Sequence, residues 1–478
     1  MVKNGAVPQI ALLATIFLFN LISFLQSGMI LFATAPSMGQ IGASPEEFSL
    51  ITALYASVAV FSISQIAVLI QRLGWRDYLL GSTLVFLIGT WICAASVSIL
   101  PFAAGRILMA AGGSVFMTAA RMLVNFIKPP KRIIGVAAFG ISLTVGLSSA
   151  PFLAGFMVGH EIWSGVFLFL AFLAILPGWL ALKYLPADGI TGDYVPNNFP
   201  VAGRMTLGAS TFLILYGLQR FTYDWYGERP QVLTIVSCGL LLAAWFFRLH
   251  GCSAQPFLRM EVLRSKRYVT GLTIYALCYT LLGIFNTVLP QLIQRILGVA
   301  FEQAGQIETV GLSGAIFARI VKLLTVRKWP DPTKFYILAF LLLALFGWHF
   351  SNLDPFAPVW TSVAFWIIPF GAFISLAMAT TSLNAFNDFQ HDDILFANAQ
   401  QLKNMAGQVG LALGAGSTNI LLQGRGAVHA TRLNEADSSA LSNLIQQSNL
   451  LASIDVFLIV TLIAVAGAFM LAIHRRFN

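Results

Sequence analysis

The 478-residue sequence predicts an all-α polytopic membrane protein with 14 transmembrane helices, arranged as six, two and six. Three observations carry that expectation. Hydrophobic residues make up 58% of the chain, charged residues only 10%, and mean hydropathy is +0.80, which is outside the range of soluble domains of this size. The apolar residues fall in blocks of about 18 to 25, the length of α-helix needed to cross roughly 30 Å of hydrocarbon. Basic residues collect on alternate connections, as the positive-inside rule requires. A β-barrel would show segments of about ten residues alternating in polarity, and stretches such as LALFGW and TFLILYGL do not alternate.

Six spans near 9–36, 46–70, 78–99, 101–127, 133–159 and 162–184 form an N-terminal half, residues 1–184. The Pro/Gly/Asp-rich connection YLPADGITGDYVPNNFPVAGR (184–204) leads to two spans near 205–222 and 230–249, which read as an insert within 185–267. After the basic segment RLHGCSAQPFLRMEVLRSKR (248–267), six spans near 268–292, 304–325, 335–350, 358–384, 394–422 and 451–474 form a C-terminal half, residues 268–478. With both termini cytoplasmic, nineteen of the 28 Lys and Arg residues fall on inner segments and four on outer loops; an odd number of spans would destroy that asymmetry. The formal net charge of +9 therefore follows topology and attraction to anionic inner-leaflet lipid, with no nucleic-acid partner expected.

Only a handful of residues precede the first apolar run, so no cleavable signal peptide is expected. Cys93, Cys238 and Cys278 lie within spans and Cys252 on the inner side, without a CxxC pair, and the six histidines are scattered. Disulfide, metal and cofactor sites are not expected, and the chain has no ligand set for an enzyme of the membrane interior.

The fifth span carries GLSSAPFLAG (146–155) where a plain apolar helix would suffice. Pro151 removes a backbone donor and clashes with the preceding turn, while Gly146, Ala150, Ala154 and Gly155 strip one face for close helix approach. These residues resemble the antiporter motif G-x-x-x-G-P-x-x-G-G of the fourteen-span drug:proton antiporter family (EmrB/QacA-like) of the major facilitator superfamily, with two glycines relaxed to alanine. The resemblance implies the major facilitator fold and an export-direction transporter in which this kinked helix is a hinge and a packing surface against the opposing half.

Further matches run along the chain. AVLIQRLGWRDYLL (67–80) resembles the family's cytoplasmic gate loop G-x-x-x-D-R-x-G-R-R through Arg72 and Gly74, with Gln71 in place of the family's Asp and Arg76 and Asp77 after the glycine. The neutral Gln71 should weaken the gate latch. Asp77 either takes over part of that role or is a solvated loop charge. GRILMAAGG (105–113) is similar to R-x-x-Q-G-x-G through Arg106 and Gly112, and an arginine at that depth should face a water-filled cavity or an acid. Arg121, further along, is explained by snorkelling to head groups. LYGLQRFTYDWYGERPQVL (215–233) resembles the family's L-D-R-G-x-x-x-D-W-F through Arg220, Asp224, Trp225 and Tyr226; the two aromatics also read as an interfacial anchor. LPQLIQRILGVAFEQAGQ (289–306) matches through Pro290, Gln294, Leu297, Gly298, Ala304 and Gly305, and ANAQQLKNMAGQVGLALG (397–414) through Gln400, Lys403, Gly407 and Gly410.

Coupling to protons needs a titratable group inside the membrane, and the chain is short of them. Where the family has an acid near the end of helix one, LQSGMILFATAPSM (25–38) offers Gln26 and Ser27, neither of which titrates. Glu308, about one turn into helix ten, is the leading candidate proton acceptor, with Asp224 and Glu302 at the outer rim. Lys403 would either balance Glu308 or bind an anionic substrate. Arg106 and Lys403 favour neutral or anionic amphiphiles, including siderophores and acidic metabolites, over lipophilic cations. The expected function is secondary active efflux by alternating access from the bacterial inner membrane, probed at a site near the bilayer midplane. The resemblance permits a periplasmic adaptor and an outer-membrane channel as partners, beside the small-molecule substrate and membrane lipid. Two alternatives stand: a proton-uncoupled carrier or importer, and a transport-incompetent scaffold or sensor.

Overall fold

A computed structural model describes residues 8–128, 131–189, 201–224, 227–251, 258–325, 328, 331–389, 391–436 and 441–473. Helix follows helix, and no strand occurs among the described residues. In chain order these are α1 (Gln9–Phe32), α2 (Thr34–Ile41), α3 (Pro45–Leu73), α4 (Trp75–Ala95), α5 (Ile99–Gly113), α6 (Phe116–Leu123), α7 (Arg132–Gly159) and α8 (Gly165–Tyr184). Then come α9 (Val201–Asp224) and α10 (Arg229–Gly251), followed by α11 (Lys266–Gln291), α12 (Phe301–Leu312), α13 (Gly314–Thr325), α14 (Pro332–Phe350), α15 (Phe365–Asn384), α16 (Asp393–Ala436) and α17 (Leu441–Ile473).

The caps explain where several helices begin. Ser44 accepts from the Glu47 amide while the Glu47 carboxylate accepts from the Ser44 amide, a reciprocal pair followed by Pro45 at the first helical position of α3. Ser265 and Asp331 cap α11 and α14 in the same sense, through the amides of Tyr268 and Thr333. Between α3 and α4 the chain reverses at a single residue, Gly74, whose φ of 83° suits glycine and whose missing side chain admits the Ala187 carbonyl.

Eleven helical stretches among the described residues are long and apolar enough to cross a membrane. Three of the fourteen expected spans, 201–224, 301–325 and 393–436, fall short of that measure. Polar side chains are buried on all three. Gln219 on α9, Glu308 on α12 and Asn398, Gln400, Gln401, Lys403 and Asn404 on α16 are all buried. The stretch 301–325 is also interrupted, since α12 stops at Leu312 and α13 resumes at Gly314. A helix with a lipid face on one side only loses its hydropathy signal when the other side carries amides.

The region 423–449, expected as an outer loop with room for a short helix, is helical over most of its length. α16 continues through it to Ala436, and α17 starts at Leu441. Asp455 Oδ2 on α17 accepts from Arg425 Nε at 2.6 Å and lies 2.7 Å from His429 Nε2, so an ion pair ties the extension to its neighbour.

Hydrogen bonds identify the two ends of the bundle. At one, Trp75 N and Arg76 N donate to the carbonyls of Asp188 and Pro186, Arg259 N to Asn398 Oδ1, and Ser265 Oγ to Asp388 Oδ2. At the other, Arg220 pairs with Glu46 and Gln446 bonds the Ile296 carbonyl. The first is the end expected in the cytoplasm.

Candidate functional site

Two adjoining cavities run from the second end toward the middle of the bundle, sharing Leu31, Thr34, Phe48, Thr52 and Ala415. The outer one, of about 430 Å³, is lined from both groups of helices, by Met38, Pro45, Asn286, Pro290, Gln294 and Asn419 among others. The deeper one, of about 50 Å³, ends on Gln26, Tyr55, Arg106 and Gln408. The sequence candidates Arg106, Gln26, Pro290 and Gln294 are thus brought to one connected space.

Its lining is polar and carries two cations, Arg106 in the deeper cavity and Arg295 in the outer one. The Arg106 guanidinium lies 4.2 Å over the Tyr55 ring, with Nη1 3.9 Å from Met109 Sδ, and forms no ion pair among the described residues. Ring quadrupole and thioether hold the cation where no carboxylate does. Gln26 is buried at 3% exposure and its Oε1 accepts no hydrogen bond; Gln294 Nε2 likewise donates none. A buried amide atom without a partner is costly, and Gln26 Oε1 is packed against Gly113 of α5. Among the described residues no Asp or Glu lines either cavity. Tyr55 and Gln408 were not legible as site residues, because an aromatic in a span usually faces lipid or core.

The motif residues of α7 line neither cavity and pack between α1 and α12. On one side of α7, a side chain at Gly146 would meet Phe24 Cβ at 2.9 Å, and one at Gly28 would meet Ala150 Cβ at 2.6 Å, so α1 and α7 touch nearly backbone to backbone. On the other, a side chain at Gly155 would meet the Phe301 carbonyl at 2.8 Å, and one at Gly305 would run into the Pro151 carbonyl. Ala150 and Ala154 are fully buried in the same packing. Phe152 N donates to Thr309 Oγ1 at 3.0 Å and Ser148 Oγ to the Leu312 carbonyl at 3.1 Å, so the kinked segment is bonded across to α12. Glu308 sits between these contacts in the sequence of α12, 2% exposed, with Oε1 unbonded.

The remaining candidates lie elsewhere. Lys403 is at the first end, with Nζ 4.8 Å from the Tyr275 ring and 5.9 Å from that of Phe139, and no ion pair joins it to Glu308. Gly298 takes a φ of 69° just after a π-helical turn, Leu292–Ile296, that ends α11. In the gate loop, Arg76 Nε bonds Asp77 Oδ1 at 2.8 Å with both side chains largely exposed, and Arg72 is exposed while Gln71 is half-buried. The side chain of Asp224, with Trp225 and Tyr226, lies outside the described residues.

What shuts the first end was missed in the sequence. Gln401 Nε2 donates to the Ile63 and Ser64 carbonyls at 3.0 and 3.2 Å, and Asn404 Nδ2 donates to Thr118 Oγ1 at 2.5 Å. α16 is thereby fastened to α3 and α6. The signal was an amide pair at i and i+3, which alone is indistinguishable from solvated polar residues.

Comparison with known proteins adds four findings. The chain is 20% identical to the fatty acid resistance protein FarB of Neisseria gonorrhoeae over 403 residues, covering 83% of this chain and 77% of that one. It is 21% identical to the multidrug export protein EmrB of Escherichia coli K12 over 321 residues, 66% of this chain and 62% of EmrB. A solved structure from work on substrate recognition in proton-dependent oligopeptide transporters shares the fold, with a TM-score of 0.61 at 13% identity over 97% of this chain and 98% of that one. Residues 16–415 match the family model of the Major Facilitator Superfamily. An all-helical bundle with a cavity between its two helical groups, matched over most of its length by that model, is a transporter and not an enzyme, and the chain belongs to the Major Facilitator Superfamily.

Proposed function

We propose that this protein is a secondary active exporter of amphiphilic small molecules, working by alternating access and proton antiport in a bacterial inner membrane. On this reading α1 to α8 supply six spans, α9 and α10 two, and α11 to α17 six, with both termini in the cytoplasm. Residues 1–184 and 268–478 are then the halves that rock about a central site, and 185–267 carries the insert.

The observation that carries the reading is the Arg106 guanidinium, resting on Tyr55 at the floor of the cavity with no acid beside it. It offers two parallel donors to a carboxylate, sulfonate or phosphate, and the open Gln26 Oε1 accepts from a hydroxyl or amide on the same molecule. Apolar residues such as Ile30, Leu31, Phe48 and Leu411 would hold the ligand's hydrocarbon. The names of two relatives, fatty acid resistance for FarB and multidrug export for EmrB, agree with an amphiphile leaving the cell. Under this proposal Gly146, Ala150, Pro151, Ala154 and Gly155 form the hinge, the gate loop 71–77 steadies the cytoplasmic end, and Glu308 carries the proton. Glu308 suits that role because it is buried, unpaired and adjacent to the α7 contact that must change when the halves rock. A periplasmic adaptor and outer-membrane channel would complete the export route.

Proteoliposomes under an imposed proton gradient test this. Dodecanoate and dodecyltrimethylammonium are supplied in turn while internal pH and substrate are followed. Antiport predicts dodecanoate-dependent proton flux that disappears in Glu308→Gln. Dodecanoate flux without proton movement would instead establish an uncoupled carrier, the second reading, which is favoured by the absence of Asp and Glu from the cavity lining.

A further inference from the structure

We infer that the closed end of the bundle contains a second anion site, built from Arg121, Arg319 and Lys403 around the Tyr275 ring with Lys322 beside Arg319, which takes the acidic head of an amphiphile. The inference uses the transport reading only to say when the site is uncovered; the binding itself does not depend on transport.

The cluster gathers four cations from three helices. Lys403 Nζ stands 4.8 Å from the Tyr275 ring and 5.8 Å from that of Phe386. Arg121 lies 5.1 Å over the Phe396 ring and within electrostatic reach of both Lys403 and Tyr275. Arg319, on α13, reaches Tyr275 electrostatically as well, and its guanidinium is pressed into the space left by Gly140 on α7. Lys322, one turn further along α13, donates to Thr380 Oγ1 at 2.6 Å and lies 5.2 Å over the Phe335 ring.

Positive charge at a cytoplasmic end is expected, and loop lysines would satisfy that rule. These residues are different in kind. Arg121, Lys322 and Lys403 are 8%, 4% and 2% exposed, lie within helices, and are walled by aromatic rings. No Asp or Glu among the described residues pairs with any of the four: the ion pairs present join Arg76, Arg220, Arg267, Arg425 and His429 to acids. Buried cations normally have a partner, and ring faces compensate them only in part. Four like charges converging without a carboxylate are complementary to an anion that arrives from outside the chain.

The cluster also spans the seam. Arg121 and Gly140 belong to helices before the insert, Lys403, Arg319 and Lys322 to helices after it. Shutting this end drives the like charges together, so an anion held among them would favour closure and its loss would favour opening. The site differs from the Arg106 floor in location and in partners, and no residue is shared between them.

The decisive experiment measures saturable binding of radiolabelled dodecanoate to the full-length chain in phosphatidylcholine nanodiscs. In an Arg106→Gln background the first contact is removed, and binding should persist. Adding Lys403→Gln or Arg121→Gln should then weaken it about tenfold, while Lys403→Arg should hold it within about threefold. Melting temperature and monodispersity confirm that each variant is folded, and dodecyltrimethylammonium serves as the cationic control. If Arg106→Gln alone abolishes binding, the second site is overturned and the cavity reading survives. If Lys403→Gln abolishes it while Arg106→Gln does nothing, the second site stands and the cavity reading falls. Unchanged affinity in both Lys403→Gln and Arg121→Gln overturns the inference. Competition by added phosphatidylglycerol that vanishes with Lys403→Gln would support the site and identify a lipid headgroup as its occupant, because the recognised chemistry is the same.

Discussion

Two seams join the helices before the insert to those after it, and they are made in opposite ways. At the closed end α16 is fastened to α3 and α6 by amide side chains, Gln401 to two carbonyls and Asn404 to a hydroxyl. Between α7 and α12 the contact rests chiefly on what is missing, with Gly155, Gly305 and the Pro151 turn letting two backbones meet, and two hydrogen bonds, from Phe152 N and Ser148 Oγ, are added to it. The first seam is a set of replaceable bonds: water can take over each donor when the helices part, so separation costs little. The second is chiefly a shape contact, in which dispersion between close backbones adds to two hydrogen bonds and is lost on separation. A carrier that opens at one end and pivots at the other needs both kinds.

The largest expected effect follows from filling the shape contact. Gly305→Leu places a side chain against the Pro151 carbonyl and should destabilise the protein by about 1 to 3 kcal/mol or more, with transport lost. A thermal unfolding series in detergent checks the first part. An unchanged melting temperature would mean the seam is looser than the geometry indicates. Next in size, Arg106→Gln should reduce dodecanoate transport about ten- to a hundredfold and leave dodecyltrimethylammonium transport no worse, a sign test of the cavity's preference. Smaller again, Gln401→Ala with Asn404→Ala removes membrane-buried hydrogen bonds worth roughly 0.6 kcal/mol each, rarely above 1.7. The pair should shift the population toward opening of the closed end about tenfold, read by spin-label distances across α3 and α16. No shift would mean the amides are passengers and the seam is held by packing. The smallest effect is expected at the gate loop, where Asp77→Asn breaks only an exposed pair with Arg76; transport rate and melting temperature should not move measurably.

The same contrast sets what was readable in advance. Small residues around a proline announce close approach, so GLSSAPFLAG could be read as a packing face, although its partner on α12 could not be deduced from the motif. Eleven stretches announce themselves by hydropathy, buried or not, whereas α9, α12 with α13, and α16 carry buried polar residues that dilute the signal. Arg106 was legible, since a cation at that depth needs a cavity or an acid, and it has the cavity. Lys403 carried the same signature and turned out to serve the opposite end, because one span says nothing about which neighbours surround a given turn. Gln401 and Asn404 were illegible for a simpler reason: an amide has no charge to balance, so the sequence gives no hint that it must find a partner. The stretch 423–449 resembled a loop by its polarity, yet it contains no proline, and the pairing of Arg425 and His429 with Asp455 is a long-range contact that local composition cannot show.

α16 is an unbroken rod of 44 residues, about 66 Å at the usual rise, roughly twice the thickness of a bilayer's hydrocarbon. Along it lie the closed-end amides, the cavity wall at Gln408 to Gly416, and the Asp455 tether near its far end. Under the proposed alternating access such a rod would work as a rocker arm. A tilt of about 10° about its midpoint carries each tip about 6 Å in opposite directions, so that freeing Gln401 from α3 at one tip would by the same motion narrow the mouth at the other. Alternation then requires no messenger between the two ends, because both are parts of one stiff object.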